Sequence, residues 1–303
     1  MGSVVISVDA ELGWGFHDQQ PLPERRVEAG RRGWQALCDL FERYRLPATW
    51  AVVGHLLLED CDGYHAGHPT PSGWFARERG EWADRPELRF AVDLVDGLLA
   101  ADPDHEIGCH TFSHVVFDDP RVTADTVRAE LWAAAEAADR RGLGTPMQSL
   151  VFPRNRMGYR DVLAECGYRA YRAHGEQWGA PRRDPVGKLR SLVGREPRLV
   201  QPRTDEFGMV AVPASLYLFG FEGRLRTAAE AAWADPVVRQ AKRGIDAAAD
   251  CDGLFHLWLH PNNLVEDRDV ERVETVLDYL DDRLAEPGLR VETMGEVADR
   301  LLK

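Results

Sequence analysis

Two histidines separated by three residues, His110 and His114, follow a short apolar run in the segment IGCHTFSH. A separation of four positions is about one helical turn, so both imidazoles can face the same point. A single histidine in such a place usually satisfies a core or surface hydrogen bond, whereas a pair at this spacing also suits a metal site. The zincin motif places a glutamate base directly after its first histidine. Here that position holds Thr111, so a third ligand and a base must come from elsewhere.

The first apolar run ends in SVDAELGWG and supplies two carboxylates, Asp9 and Glu11. Residues two apart on a strand face the same side, so these carboxylates can lie together while Ala10 faces away. The plainer interpretation is a charged strand end in water. At the end of an inner parallel strand, however, Glu11 can join the histidine pair as a third metal ligand. Asp9 then remains as an uncoordinated base beside the metal.

A late strand, GLFHLWLHP, repeats this alternation and places His256, Trp258 and His260 on one face. A histidine inside a strand usually satisfies a core hydrogen bond, and we predict that role for His256. His260 is the last residue before Pro261, at the carboxyl end of the strand, where parallel sheets place their active sites. We therefore predict that His260 is catalytic.

The segment LVFPRNRMGY places Arg154 after another strand, at the same edge of the sheet. An arginine there is often a surface residue, but its guanidinium could also clamp the Asp9 carboxylate. Tryptophans on or near these segments are candidates for contact with a sugar, since an aromatic face suits the apolar face of a pyranose. At least half of them should simply be packing residues. The candidates are Trp14, Trp74, Trp178 and Trp258.

Short apolar runs alternate with amphipathic stretches along the chain, which predicts strands followed by helices. This alternation favours a parallel sheet, either open or closed into a barrel, with function at the carboxyl ends of the strands. Helices are expected near residues 225–250, 267–285 and 294–302. Residues 61–89 form the longest irregular piece and are predicted to be an elaborated loop over one end of the sheet. No glycine-rich phosphate loop follows any of the predicted strands.

The composition indicates an ordinary globular protein of 303 residues, with 44% hydrophobic and 29% charged residues. A net charge of −13 disfavours nucleic acid and anionic membranes as partners, because both attract clustered basic surface. The five cysteines are widely spaced and form no CxxC pair, which favours free thiols in a reducing compartment. The sequence shows no signal peptide and no apolar segment long enough to span a membrane. We therefore expect a cytoplasmic location.

In combination these motifs resemble the polysaccharide deacetylases (carbohydrate esterase family 4, the NodB-homology domain). The matching motifs, in order, are VDAE at 8–11, HTFSH at 110–114, RNRMG at 154–158 and LWLH at 257–260, and the resemblance runs over nearly the whole chain. It implies a distorted (β/α)7-type barrel of parallel strands and helices. It also implies a single catalytic domain over residues 1–303, with a loop insertion around 61–89.

The resemblance assigns roles that agree with those argued from the residues. It makes Asp9 the catalytic base and His260 the acid, with Arg154 holding the base, and it makes His110 and His114 metal ligands. The implied activity is that of a metal-dependent carbohydrate N-deacetylase, a hydrolase of C–N bonds other than peptide bonds. Its substrate would be an N-acylated amino sugar or a nucleotide or lipid conjugate of one, carrying acetyl or a similar acyl group.

The sequence departs from the family pattern at two positions. The first motif usually has two adjacent aspartates, the second being a metal ligand, and here that place is Ala10. Glu11 is the expected substitute. The third motif usually reads Arg-x-Pro-x-Gly, and Arg156 stands where the proline is expected. This second change reshapes the groove wall and disfavours a polymeric substrate.

Together, Glu11 and the histidine pair would hold one divalent ion and leave positions open for water and a substrate carbonyl. Zinc is the expected ion because hydrolysis needs a Lewis acid and no redox change, although cobalt, nickel or iron would suit the same ligands. One rival is a metal-free amidase that opens a cyclic imide or ureide on the same scaffold. Others are a non-haem iron oxygenase and a non-catalytic sugar-binding protein. The sequence leaves the sugar, the acyl group and the oligomeric state open.

Overall fold

Strand β1 (Gly2–Ala10) is an inner strand of the sheet, paired on both sides, and all nine of its residues are buried. On one side it pairs in parallel with β9 (Leu254–Leu259). On the other side its first half pairs with β10 (Leu289–Glu292) and its second half with β2 (Thr49–Val52), again in parallel. This is a computed structural model, which describes residues 1–173, 199–220 and 235–303.

The remaining strands extend the sheet from β2 outwards in the order β3, β4, β5 and β7, all of them parallel. Strand β8 lies at the other end, parallel to β9, and the short β6 pairs antiparallel with β7. These strands are β3 (Glu106–Cys109), β4 (Ser149–Leu150), β5 (Ala170–Ala173), β6 (Arg203–Thr204), β7 (Val210–Pro213) and β8 (Leu216–Tyr217).

The two ends of the sheet are connected by the chain between β7 and β8. The Ala214 amide donates to the carbonyl of Ala173 on β5, and the Ser215 amide donates to the carbonyl of His256 on β9. The sheet therefore curls into a distorted barrel of parallel strands and helices, which confirms the fold class expected from the sequence. The antiparallel β6 is the one addition that strand–helix alternation did not predict among the described strands.

Helices cover the outside of this sheet. Helices α1 and α5 each bury one face. Thr123 caps the beginning of α5, and Gly142, with φ +73°, caps its end. Of the three helices expected late in the chain, those near 267–285 and 294–302 are present within one residue of the predicted bounds. The helix expected near 225–250 is described from Pro236 onwards, and residues 225–234 of that prediction lie outside the described residues. The helices are α1 (Glu24–Arg43), α2 (Ala76–Arg79), α3 (Pro86–Arg89), α4 (Val92–Leu99), α5 (Ala124–Arg141), α6 (Arg160–Glu165), α7 (Pro236–Cys251), α8 (Asp267–Leu284) and α9 (Met294–Leu301).

The segment at residues 61–89 contains two one-turn helices, α2 and α3, joined by turns. Arg77 ties it to the loop after β1, because its guanidinium donates to the main-chain carbonyls of Phe16 and Gln19 at 3.0 Å. Arg89 is 6% exposed and anchors the other end. The predicted loop is thus an ordered wall over the carboxyl ends of β1 and β2. Nowhere in the described part of the chain is there a helix with the length and apolar content to cross a membrane.

Candidate metal centre and active site

The two carboxylates at the end of β1 are both buried, with Asp9 2% and Glu11 6% exposed. The strand ends at Ala10, and Glu11 turns into a 3-10 helix at Leu12–Phe16 with φ −113° and ψ −29°. Its carboxylate packs against Gly15, where an added Cβ would lie 1.8 Å from Glu11 Oε2. The sequence GWG therefore supplies the space that a buried glutamate needs at this point.

The two histidines of HTFSH are brought together by a loop rather than by a helical turn. Strand β3 ends at Cys109, and the backbone then takes left-handed φ values of +62° at Thr111 and +63° at His114. The His110 and His114 rings lie 5.2 Å apart between centroids. The convergence predicted from their spacing is present, but the helical geometry on which we based it is wrong. Strained positive φ values of this kind often accompany functional sites.

Glu11 and both histidines meet around one point. Glu11 Oε1 lies 3.2 Å from His110 Nε2 and 3.3 Å from His114 Nε2. His110 Nδ1 lies 2.7 Å from the Val151 carbonyl, to which it donates its proton. Its Nε2 then faces the Glu11 carboxylate, and a proton or a metal ion must lie between these two atoms. A histidine anchored through Nδ1–H to a carbonyl is typical of metal ligands.

His114 fits the same interpretation. It is 1% exposed, and its Nδ1 has no hydrogen-bond partner among the described residues. Burial lowers the pKa of His114 below its usual value, although the neighbouring Glu11 opposes this effect. The ring is therefore neutral near pH 7, and neutral imidazole is the form that binds metals. These donors are compatible with the divalent ion that the sequence predicts.

Asp9 is held by Arg172 and not by Arg154, which corrects the expectation from the sequence. The Arg172 Nη1 and Nη2 atoms donate to Asp9 Oδ1 and Oδ2, each at 2.6 Å, in a fully buried bidentate pair. Burial raises the pKa of Asp9, but the charge and hydrogen bonds of Arg172 and the charges of His260 and His110 together outweigh burial, and the net shift is downward. The Asp9 carboxylate is therefore ionised at neutral pH.

Arg154 faces outwards because the short 3-10 turn Pro153–Asn155 follows β4 and gives Arg154 a left-handed φ of +58°. Its Nη2 donates to Asp18 Oδ1 at 2.6 Å and to the Gly15 carbonyl at 3.1 Å. The next residue, Asn155, points inwards, and its side-chain oxygen accepts from Arg172 Nη2 at 2.8 Å. Arg154 thus fixes the loop after β1, while Asn155 supports the guanidinium that contacts Asp9.

His260 lies across the site from the metal-ligand candidates. Its Nε2 is 3.6 Å from Asp9 Oδ2 and 3.5 Å from Glu11 Oε1. Burial lowers the pKa of His260, but the Glu11 and Asp9 charges outweigh burial and raise it overall. Its Nδ1 lies 3.3 Å from Asn263 Oδ1, which orients the ring. The imidazole is therefore held near two carboxylates in a state that favours protonation.

His256 has the core role expected from its position inside β9. Its Nε2 lies 2.8 Å from Ser7 Oγ and its Nδ1 lies 3.1 Å from the Pro213 carbonyl. Burial lowers the pKa of His256 to about 3, so the ring is neutral.

A second ligand combination shares Glu11. Donor atoms of Asp9, Glu11 and His260 also lie within 4.8 Å of one another. Both oxygens of Asp9, however, already accept hydrogen bonds from Arg172. Among the described residues no arginine contacts the Glu11 carboxylate, which faces three imidazoles, so Glu11 with His110 and His114 is the better ligand set. We call the five residues Asp9, Glu11, His110, His114 and His260 the candidate catalytic centre.

Of the four tryptophans, Trp14 and Trp258 are only 1% and 4% exposed. Trp14 packs on His55, and Trp258 lies between Tyr217 and the Arg172 guanidinium. Their faces are covered, so as substrate platforms they are wrong predictions and the packing interpretation holds. Trp74 is partly buried, and its Nε1 donates to the Ser113 carbonyl at 3.0 Å beside His114. Trp178 lies outside the described residues.

Sequence reasoning missed Arg172 and His17. Arg172 had a signal, since a strand AYRA that alternates inward and outward positions places a buried arginine where it needs a carboxylate. His17 follows the GWGF turn, and its ring centroid is 6.1 Å from that of His114. Burial lowers the pKa of His17 to about 4. A histidine within eight residues of two site carboxylates could have been included as a candidate wall residue.

Comparison with known proteins gives no match to any family model and no match to a curated protein. The fold, however, matches solved structures over nearly the whole chain. Two of them bear polysaccharide deacetylase assignments. One, from Mycobacterium smegmatis, has a TM-score of 0.61 and 15% identity, covering 99% of this chain and 89% of that one. The other, from Pseudomonas aeruginosa PAO1, has a TM-score of 0.58 and 14% identity, covering 98% and 89%.

A third similar structure is Puue allantoinase, with a TM-score of 0.58, 13% identity and coverage of 98% of this chain and 89% of the other. At such identities the likeness establishes the fold alone. The shared fold is the distorted barrel of strands and helices that the resemblance implied.

Proposed function

We propose that this protein is a metal-dependent hydrolase that removes an acetyl or similar acyl group from an N-acylated amino sugar or sugar conjugate. The observation that carries this proposal is the convergence of His110 and His114 on Glu11 Oε1, at 3.2 and 3.3 Å, beside the arginine-held Asp9. We also propose that residues 1–303 form one catalytic domain, with residues 61–89 as an insertion that builds its wall.

Glu11, His110 and His114 would hold the ion, and zinc is the ion that the sequence predicts. A divalent ion bound there would polarise the acyl carbonyl and lower the pKa of nearby water. The three-donor set leaves room for water and substrate, which is a feature of catalytic rather than structural metal sites.

The remaining residues of the centre divide the proton transfers between them. Asp9 is ionised and would accept a proton from the attacking water, with Arg172 and Asn155 keeping its carboxylate in place. His260, on the opposite side with a raised pKa, would donate a proton to the departing amine. Cleavage of the C–N bond then yields a carboxylic acid and a free amino sugar, with both protons accounted for.

The substrate is proposed to be a small N-acylated sugar or its nucleotide or lipid conjugate rather than a long polymer. Arg156 stands where the family pattern has proline, and its Nε donates to Asp118 Oδ2 at 2.7 Å. This ion pair places two charged side chains next to the 3-10 turn at Pro153–Asn155. Bulk and charge in place of a flat proline ring would disfavour the extended contacts that a polysaccharide makes.

A second candidate function is the hydrolysis of a cyclic imide or ureide without metal, and the similarity to Puue allantoinase at a TM-score of 0.58 is the observation that favours it. In that case His110 and His114 would act as hydrogen-bond donors. Both ring nitrogens of the buried His114 lack a hydrogen-bond partner among the described residues, which favours a metal ion instead.

A single assay separates the two candidates. Purified protein would be offered N-acetylated monosaccharides, nucleotide sugars and cyclic ureides, with and without a chelator, and released acetate or ring-opened product would be measured. Acetate release from amino sugars that stops with chelator and returns with zinc supports the deacetylase. Turnover of a cyclic amide that is insensitive to chelator would overturn it.

A further inference from the structure

A second group of metal-binding side chains lies outside the candidate catalytic centre. It consists of His55, Cys61, His65 and Glu78, which we call the His55 cluster. His55 belongs to the 3-10 turn Gly54–Leu57 after β2, whereas the other three residues belong to the segment around 61–89. The cluster therefore joins the barrel to its insertion.

The four donor atoms all lie within 4.8 Å of one another. Glu78 is at the centre, with Oε1 2.8 Å from His55 Nε2 and Oε2 2.9 Å from His65 Nε2. Cys61 Sγ is 3.6 Å from His65 Nε2. Ligands in a tetrahedral zinc site lie roughly 3.3–3.6 Å apart, given zinc–nitrogen and zinc–sulfur distances of about 2.1 and 2.3 Å. Shifts of about half an ångström would accommodate the ion.

The orientation of His55 points to a cation. Its Nδ1 lies 3.2 Å from the Arg89 carbonyl, to which it donates, so Nε2 is the ring atom that faces the Glu78 carboxylate. His55 is fully buried and Glu78 is 2% exposed. Two buried acceptors at 2.8 Å need a proton or a metal ion between them. The same arrangement is present at His110 and Glu11.

The surroundings of the cluster support metal ligation by its thiol and carboxylate. The Gly63 amide donates to Cys61 Sγ at 3.3 Å, and Arg89 donates to Glu78 Oε1 at 2.7 Å, so both anionic ligands are held from outside. A thiol that coordinates a metal is deprotonated, so Cys61 would bring a negative charge to the ion.

We propose that the His55 cluster binds a second divalent ion of the zinc type, with a structural role. Four protein ligands complete a tetrahedron and leave no open position, which is the pattern of structural zinc sites. Aromatic rings cover the cluster, since Phe90 stacks on His55 and Phe75 lies 3.9 Å from the His65 ring. This site is separate from the proposed hydrolysis and does not depend on it.

The consequence of such a site is a fixed wall beside the candidate catalytic centre. The ion would fasten the insertion to the turn after β2, and the insertion carries Trp74 and Phe75. Trp74 donates to Ser113 next to His114, and Phe75 packs edge-on against Trp14 in the turn after Glu11. A metal at the His55 cluster would therefore hold Trp74 and Phe75 in place beside the candidate catalytic centre.

The test counts metal and detects sulfur ligation. Protein expressed with zinc, purified under reducing conditions and analysed by mass spectrometry should contain two ions per chain. His110→Ala and Cys61→Ser should each contain one, and Cys166→Ser, which alters a free cysteine in neither site, should contain two. After cobalt substitution, wild type and His110→Ala should show near-ultraviolet thiolate-to-cobalt charge-transfer absorption. Cys61→Ser should lack it, because Cys61 is the one sulfur in either ligand set.

The outcomes distinguish this inference from the proposed function. A single ion that disappears in His110→Ala, with no charge-transfer band in the cobalt protein, would overturn the second site and leave the catalytic proposal standing. In that case the His55 cluster is a proton-bridged imidazole–carboxylate network. A band that survives in His110→Ala and a rise in melting temperature when zinc is added to that variant would establish the second site even if the protein had no deacetylase activity.

Discussion

The candidate catalytic centre and the His55 cluster use one histidine arrangement on two different supports. In each, a buried imidazole donates its Nδ1 proton to a main-chain carbonyl and turns Nε2 towards a glutamate, through His110 and Val151 in one and His55 and Arg89 in the other. The first group stands at the ends of parallel strands. The second is assembled from the 3-10 turn after β2, the irregular chain at residues 61–65 and the one-turn helix α2.

The difference in support accompanies a difference in chemistry. The centre at the strand ends combines Glu11 and two imidazoles with a second carboxylate and a third imidazole that have no ligand role in our proposal. The His55 cluster contains four donors and a guanidinium that already neutralises Glu78. A site with surplus acid–base groups can perform proton transfers, whereas a closed set of donors can hold a metal but has no group left to react.

The largest expected effect separates the two carboxylates of the catalytic centre. Asp9→Asn preserves shape and removes basicity, so turnover should fall about 10²–10⁴-fold while metal content stays unchanged. Glu11→Ala should instead lose the catalytic ion, with activity partly restored at high metal concentration. Kinetics and metal analysis on both variants decide this. If Asp9→Asn loses the ion and Glu11→Ala keeps it, the two roles are reversed.

The second effect separates the two arginines. Arg172→Met leaves Asp9 as an unpaired buried charge, and breaking a buried pair typically lowers the free energy of unfolding by about 3–5 kcal/mol. Arg154→Met is the matched control, because its partly exposed pair with Asp18 should contribute about 0–1 kcal/mol. Urea unfolding of both variants measures these values. Equal losses would contradict the assignment of Arg172 as the residue that holds Asp9.

A third, smaller effect concerns His105, a partly buried histidine outside both sites. Burial lowers the pKa of His105 from 6.5 to about 4. As pH falls from 6.5 to 4, the unfolded chain binds a proton that the folded chain does not. The stability that His105 contributes is therefore present above pH 6.5 and is lost on acidification, by on the order of 2 kcal/mol.

The corresponding measurement compares unfolding free energies of wild type and His105→Gln at several pH values between 7 and 4. Glutamine can still accept the hydrogen bond that the Ala48 amide donates to His105 Nδ1. The variant should lose less stability over this range than the wild type. Parallel curves for the two proteins would show that His105 is not buried in its neutral form.

The smallest effect links the insertion to the catalytic centre. Trp74→Phe keeps an aromatic ring but removes the hydrogen bonds from Nε1 to the Ser113 carbonyl and hydroxyl. A lost hydrogen bond of about 0.5–1.5 kcal/mol corresponds to a decrease of roughly 2–10-fold in kcat/KM if the wall positions the substrate. Metal content should not change. An unaltered kcat/KM would mean that the insertion does not act on the reaction.

Much of the candidate catalytic centre could be predicted from the sequence, because its members follow strand-like runs whose ends must gather at one edge of a parallel sheet. The residues Asp9, Glu11, His110, His114 and His260 do lie together. Their catalytic roles remain predictions. The prediction for Arg154 was wrong because a left-handed turn of the backbone, rather than the order of residues, decides which side chain after β4 faces inwards.

The free thiols illustrate the same limit. All five cysteines are unpaired, as their spacing predicts, but only Cys109 is buried. Cys61 was counted as an ordinary thiol, although Cys61 and His65 are four positions apart, as His110 and His114 are. The other two members are not local, because His55 comes from a different element and Glu78 lies 17 positions after Cys61. The sequence therefore offered a local pair, but only the tertiary structure completed the cluster.

The sequence by itself determined the alternation of strands and helices and the chemical types at the strand ends, because periodicity and residue identity are local properties. Only the tertiary structure decided which charges meet. Asp9 and Arg172 are 163 positions apart and become a bidentate pair because β1 and β5 belong to one curled sheet. The His55 cluster likewise forms because the segment at residues 61–89 packs against the turn after β2. Contacts between distant elements depend on how whole elements pack, and no short stretch of sequence encodes that packing.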